Sequence, residues 1–142
     1  MDLLHLIEIT GAISVATLFG SMAFFSCVIA PLVFIELDAA TAGRFIRRLF
    51  PWYYVVVAIL SLIATLSFAA TLPIESAIMG FVFIGAYFSR EVLMPQINLR
   101  RDAMARGNAS FGVSFNRLHR LSVLINAAQI IAVFCILVRS LT

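Results

Sequence analysis

The first apolar run of the chain reads ITGAISVATLFGSMAFFSCVIAPLVFI, from Ile9 to Ile35, and contains no charged side chain. An α-helix needs about 20 residues to cross the hydrocarbon core of a bilayer, so this run is long enough to span it with some tilt. Its apolar residues are continuous and do not alternate with period two, which predicts a helix rather than a barrel strand. The N-terminus lacks the basic segment of a signal peptide, so we expect this first span to be retained.

Three further apolar runs follow, and with their flanking residues we place the spans at residues 9–35, 53–72, 74–94 and 118–138. Hydrophobic residues make up 63% of the 142 residues and charged residues 12%, whereas soluble domains carry about 25% charged residues. This excess of apolar surface must face lipid. The sequence therefore predicts an all-α fold, an integral membrane four-helix antiparallel bundle that forms a single domain over residues 1–142.

The connection between the first two spans predicts a short amphipathic helix in the headgroup region. Asp38 is a good N-cap, and Pro51 is expected to end the helix. Apolar residues and arginines fall on opposite faces, with Ala42, Phe45, Ile46, Leu49 and Phe50 on one and Arg44, Arg47 and Arg48 on the other. Three aromatic residues then predict an interfacial anchor for the second span: Trp52, Tyr53 and Tyr54.

The distribution of arginines predicts the orientation. All ten basic residues are arginines, and eight of them lie in or beside the first and third connections: Arg44, Arg47, Arg48, Arg100, Arg101, Arg106, Arg117 and Arg120. The positive-inside rule puts these connections in the cytoplasm, so we expect an inner (plasma) membrane protein with both termini outside the cytoplasm. Because the arginines lie in short segments between apolar runs, nucleic-acid binding is not expected.

Candidate site residues cluster around the inner ends of spans three and four. We predict one connected polar network made of Arg90, Glu91, Asn98, Arg101, Asp102, His119 and Arg120. Adjacent helical residues point about 100° apart, so Arg90 and Glu91 are expected to find partners elsewhere. A polar stripe continues along span four to Asn126 and Gln129. These residues either line a ligand site or form structural hydrogen bonds and ion pairs between helices.

Motifs for catalysis and metal binding are not found. The sequence contains no phosphate-binding glycine loop, nucleophile motif or paired catalytic carboxylates, so we predict no catalytic residues. His5 and His119 belong to opposite faces of a core about 30 Å thick, so they cannot share a metal within one subunit. Cys27 and Cys135 are expected to be free thiols. We therefore expect no metal and no cofactor.

Several segments of the chain resemble the transmembrane protein 205-like family. They are FGSMAFF at 19–25, APLVF at 30–34, AGRF at 42–45, LFPWYY at 49–54, LMPQINLRRD at 93–102 and FNRLHRLSV at 115–123, followed by Gln129. The resemblance covers nearly the whole chain and implies a four-helix membrane protein whose biochemical role is unsettled. The layout is more distantly similar to small membrane protoporphyrinogen oxidases and copper-resistance membrane domains, which keep a histidine early in span one, where His5 stands.

These observations favour a non-enzymatic membrane protein that acts as a binding or accessory module, or as a small subunit of a membrane complex. Its expected partners are the lipid bilayer and either further copies of itself or a larger membrane complex. Two alternatives remain open. One is a small-solute or ion transporter built as a homo-oligomer, and the other is a redox protein that handles haem, porphyrin or copper.

Overall fold

The computed structural model describes residues 2–140, which form four long helices. These are α1 (Leu3–Glu36), α2 (Ala39–Phe68), α3 (Pro73–Ala105) and α4 (Ala109–Arg139). Each helix contains an apolar segment long enough to cross a membrane, and residues 2–140 contain no strand. The prediction of an all-helical, multi-pass membrane bundle is confirmed.

Successive helices run antiparallel around a closed bundle, in which α1 lies beside α2 and α4, and α3 lies beside the same two helices. The bundle therefore has two distinct ends. The arginine-rich end carries the turn between α1 and α2 and the connection between α3 and α4. The terminal end carries the start of α1, the turn between α2 and α3, and the end of α4.

Local sequence signals start two of the helices where they were expected. The Asp38 carboxylate accepts hydrogen bonds from the backbone amides of Ala40 and Thr41, both at 3.1 Å, and so caps α2. Hydrogen bonding from Thr41, through its side chain and its amide, lowers the pKa of Asp38. Pro73 begins α3, and Glu75 lies in its first turn, where a negative charge is favourable.

The structure corrects the prediction of a separate interfacial helix that ends at Pro51. Residues 39–68 form one continuous helix with Pro51 inside it. An internal proline costs about 3 kcal/mol in helix stability, but packing on both sides of Pro51 holds the helix together. Ala42 and Ile46 are buried against Val33 of α1. Two turns later, Tyr54 is buried in the main core.

Single π-helical turns interrupt α1 at Phe25–Ile29 and α3 at Ser89–Leu93. Each turn directly precedes a residue that is followed by proline, in Ala30-Pro31 and in Met94-Pro95. A proline has no N–H to donate to the preceding turn, and a π-turn is a known way to widen a helix locally. Both wide turns lie in the arginine-rich half of the bundle.

The terminal half of the bundle is tightly packed. Its fully buried side chains include Val15, Leu18, Met22, Phe68, Met79, Val133 and Ile136. Gly11 permits the closest approach, because a Cβ atom at this position would lie 2.5 Å from Cε1 of the Phe68 ring. Small residues allow helices to approach closely in membranes, where packing rather than hydrophobic exclusion drives association.

Candidate functional site

A cavity of about 430 Å³ lies among the four helices in the arginine-rich half. Its lining comes from every helix: Phe25, Ser26, Ala30 and Phe34 of α1; Ile46, Phe50 and Tyr54 of α2; Met94, Ile97, Asn98 and Arg101 of α3; and Phe115, His119, Ser122, Val123 and Asn126 of α4. The lining is largely apolar and aromatic, with a few polar groups. This volume and this composition are typical of small-molecule sites.

The deep end of the cavity, which lies farthest from the arginine-rich end of the bundle, is closed by a chain of hydrogen bonds across three helices. The Tyr53 hydroxyl of α2 donates to Oδ1 of Asn126 at 2.5 Å. Nδ2 of Asn126, on α4, donates to Oγ of Ser26 on α1 at 3.1 Å. The amide that sequence analysis singled out therefore has partners on both sides. It fixes the depth of the cavity by tying α4 to α1 and α2.

An aromatic wall stands beside this chain. The rings of Phe25 and Tyr53 stack with centroids 4.1 Å apart, and those of Phe50 and Tyr54 stack at 5.8 Å. The predicted interfacial anchor is therefore only partly correct, because Tyr53 and Tyr54 are buried in the bundle while Trp52 is 72% exposed. Aromatic pairs of this kind add about 0.5–1.5 kcal/mol beyond their buried area, so they stabilise this side of the cavity.

Arg101 lies at the opposite end of the cavity, nearest the arginine-rich end of the bundle, against the backbone of α2. Its Nη1 donates to the carbonyl oxygen of Gly43 at 3.3 Å. A Cβ atom on residue 43 would overlap the Arg101 guanidinium, so glycine leaves room for the guanidinium in this position. Within residues 2–140 Arg101 makes no ion pair, because the neighbouring Asp102 binds Nη2 of Arg47 at 2.7 Å. The same Arg47 nitrogen also donates to the carbonyl oxygen of Asn98.

The cavity reaches the outer surface of the bundle between α1 and α4. Phe34 and Val123 line it and are also 62% and 53% exposed. The last turns of α1 pack against the first turns of α2, through Val33 and Ile46, and so leave a gap on the α4 side. His119 stands near this gap with its ring parallel to that of Phe115, at a centroid distance of 6.0 Å.

The structure brings four of the predicted site residues to the cavity: Asn98, Arg101, His119 and Asn126. Asp102 adjoins them through its ion pair with Arg47. Gln129 lies deeper and donates to the carbonyl oxygen of Val82 at 2.9 Å. Room for its amide comes from Gly85, where a Cβ atom would lie 2.8 Å from Nε2.

The remaining predicted residues lie apart from the cavity. Arg90 and Glu91 pair with each other at 2.8 Å, so the expectation that they find partners elsewhere is wrong. They belong to the π-helical turn Ser89–Leu93, where the 100° spacing of a regular helix does not hold. Arg120 is exposed and makes no hydrogen bond or ion pair in the described part of the chain. Among residues 2–140, hydrogen bonds and ion pairs do not join the seven residues into one network.

Several lining residues were not singled out from the sequence. Ser26 and Phe25 lie in the first apolar run and look like ordinary span residues, whereas Phe50 was placed only on the apolar face of the predicted interfacial helix. Gly43 gave no signal either, because its role depends on an arginine 58 positions away.

At the terminal end, Glu75 is buried and binds Arg139 at 2.7 Å. Between residues 2 and 140 no three histidine, cysteine or acidic side chains are grouped so as to hold a metal.

Comparison with known proteins gives a family without an activity. No curated protein and no solved structure matches the chain. A family model described as a domain of unknown function (DUF4149) matches residues 13–106, from the third turn of α1 to just past the end of α3. This range is more than half of the 142 residues, and it supplies three of the four walls of the cavity. The chain therefore belongs to the DUF4149 family of domains of unknown function.

Proposed function

We propose that this protein is a binding module of the inner membrane, which takes a small amphipathic molecule from the bilayer into the cavity between its helices. The observation that carries the proposal is the cavity of about 430 Å³, which is lined by aromatic side chains and opens sideways between α1 and α4. A ligand that enters there passes the exposed side chains of Phe34 and Val123 and does not have to leave the apolar phase.

The composition of the cavity supports binding rather than catalysis. Polar groups stand at its two ends, and the wall between them is mainly apolar. Sites of this kind orient a ligand by a few polar contacts and hold it by buried apolar area. The polar groups at the deep end, Asn126 and Ser26, already bind each other. We infer that these two side chains hold α1 and α4 in position and take no part in a reaction.

Packing in the terminal half supports binding over transport through a single chain. Leu18, Met22 and Val133 have no exposed surface. A solute that crossed the bundle along its axis would have to separate these side chains, at the cost of core packing. Release back to the bilayer, or transfer to a partner protein, requires no such opening.

The proposed setting follows from the sequence. We place the arginine-rich end in the cytoplasm by the positive-inside rule, which leaves both termini outside. The segments at 93–102 and 115–123 support membership of the transmembrane protein 205-like group. A homo-oligomer or a larger membrane complex would receive the ligand.

The experiment is native mass spectrometry of the protein purified from membranes in a mild non-ionic detergent. We expect one bound amphipathic molecule per chain. Ala30→Phe fills the cavity and should abolish this adduct. Ala127→Phe makes the same change on the exposed outer surface of α4 and should leave the adduct in place. An adduct retained equally by both variants, or no adduct with the unmodified chain, would overturn the proposal.

A further inference from the structure

We propose that the ligand of the cavity is an anionic amphiphile whose charged oxygen atoms bind the guanidinium of Arg101. This inference rests on the proposed function and adds the chemical class of the ligand. The inference is based on an imbalance of charge at the end of the cavity nearest the arginine-rich end of the bundle. Arg101 and His119 line the cavity, whereas no aspartate or glutamate of the described residues does.

Arg101 has donors to spare. A guanidinium carries five N–H donors, and the single hydrogen bond of Arg101 to another group is the long one to Gly43, at 3.3 Å. The nearest carboxylate in the sequence, Asp102, is bound instead to Arg47 at 2.7 Å. A partly buried charge without a counter-charge is costly near a membrane, so an anion at this point would stabilise the folded protein.

The position of the guanidinium is held by the fold. Gly43 lacks the Cβ atom that would overlap Arg101, and Gly43 itself is buried. The guanidinium therefore lies against the backbone of α2 at Gly43, beside the cavity. Its planar fork matches the oxygen atoms of a carboxylate or a phosphate in a bidentate manner, which makes arginine better suited than lysine to such a group.

The apolar part of the ligand would point away from Arg101, toward Phe25 and Tyr54. The polar atoms at the deep end are already paired, with Tyr53 and Ser26 both bound to Asn126. These paired groups leave no hydrogen-bonding partner for a charged group at the deep end of the cavity. The α4 lining extends from residue 115 to residue 126. At the rise of about 1.5 Å per residue of an α-helix, this length is about 16 Å, which suits an alkyl chain of moderate length.

The test compares four probes that separate head group from tail: dodecyl phosphate, laurate, dodecanol and inorganic phosphate. Native mass spectrometry of the full chain in a non-ionic polyoxyethylene detergent measures the fraction bound at increasing probe concentration. We expect dodecyl phosphate or laurate to bind one per chain, at least tenfold more tightly than dodecanol. Which of the two binds more tightly identifies a phosphate or a carboxylate head group. Inorganic phosphate alone should not bind measurably.

Variants connect the preference to the named residue. Arg101→Gln should lower the affinity for the anionic probes at least tenfold, to that of dodecanol, and leave dodecanol unchanged. The matched control is Arg100→Gln, because Arg100 bonds to Gln96 and does not line the cavity. Should Arg101→Gln fail to fold, Gly43→Ala displaces the guanidinium without removing its charge, and it should reduce anion binding in the same direction.

The outcomes separate this inference from the proposed function. If dodecanol binds as tightly as the anionic probes and Arg101→Gln changes nothing, the ligand is neutral and only this inference is overturned. If inorganic phosphate binds as tightly as dodecyl phosphate, the site takes a free anion and the tail is overturned. If no probe binds, and Ala30→Phe alters no native adduct, both the inference and the proposed function are overturned.

Discussion

A single methyl group added at Gly11 should test the packing of the terminal half. In Gly11→Ala, the new Cβ atom would meet Cε1, Cζ and Cδ1 of Phe68 at 2.5, 2.8 and 3.0 Å. Carbon atoms prefer separations of about 3.5–4.0 Å, so the ring must move by roughly 1 Å. Phe68 is 1% exposed and surrounded by core side chains, so this movement disturbs its neighbours.

The sign of the effect depends on two opposing contributions. Overpacking a filled core costs about 1–3 kcal/mol. Alanine is favoured over glycine inside a helix by about 0.8–1 kcal/mol. Because three ring atoms clash at once, we take the upper half of the packing range, which leaves a net loss of about 1–2 kcal/mol in the free energy of unfolding.

The control is Gly20→Ala on the same helix. No atom lies within 4 Å of a Cβ built at Gly20, so this change keeps the gain in helix propensity without a clash. The free energy of unfolding is measured by adding SDS to mixed micelles and following the loss of helix by circular dichroism. We expect it to be lower in Gly11→Ala and slightly higher in Gly20→Ala than in the unmodified chain. Phe68→Leu in the Gly11→Ala background should restore part of the loss. Equal stability of the two alanine variants would refute the packing argument.

Three further predictions concern other parts of the fold. Tyr53→Phe removes the donor to Asn126 and should lower stability in the same SDS assay by about 0.6–2 kcal/mol; an unchanged midpoint would mean that the hydrogen bond carries no weight. The pKa of Asp38 is lowered in the folded protein, so its capping contribution is complete above its ordinary pKa of 3.8 and is lost as the pH falls through the lower folded value. The loss of stability between about pH 5 and pH 2 should therefore be smaller in Asp38→Asn than in the unmodified chain, and equal losses would contradict this prediction. A C-terminal reporter that fluoresces only in the cytoplasm should stay dark, whereas bright cells would reverse the proposed orientation.

The helices could be predicted because a membrane span is a local property of the sequence. Length and hydropathy alone identify the run from Ile9 to Ile35 as a span. The start of α2 at Asp38 and the start of α3 at Pro73 are also set by short-range chemistry, a cap and a missing N–H. Features of this kind need no knowledge of the neighbouring helices.

Predictions failed where packing or helix geometry departs from the local rule. Pro51 should break a helix, but contacts with α1 on one side and the aromatic core on the other hold α2 continuous. The Arg90–Glu91 pair was excluded by assuming a regular helix. The π-helical turn that contains both residues invalidates that assumption. Pro95, just beyond this turn, was the available signal, since the same arrangement precedes Pro31.

The cavity could be predicted only in part. Polar side chains on spans must face the protein interior, which is why His119 and Asn126 of the fourth span were candidates. Asn98 and Arg101 were candidates because they lie in the charged segment just beyond the third span. All four residues line the cavity. The apolar lining could not be predicted in the same way. Hydrophobic periodicity indicates which face of a helix turns inward, but not where facing helices fail to touch.

The family match ends at residue 106, so the cavity is lined by matched residues of α1, α2 and α3 and by α4 residues beyond the match. Arg101, Gly43 and the aromatic wall of Phe25, Phe50 and Tyr54 lie within the matched residues. The α4 lining lies beyond them, and it is tied to the rest by the bonds of Asn126 to Tyr53 and Ser26. On the proposed function and the further inference, Arg101 of the matched part binds the head group, and the α4 lining encloses the chain of the ligand. Val123 of α4 also lines the cavity and is 53% exposed, so α4 borders the side opening through which we propose that the ligand enters.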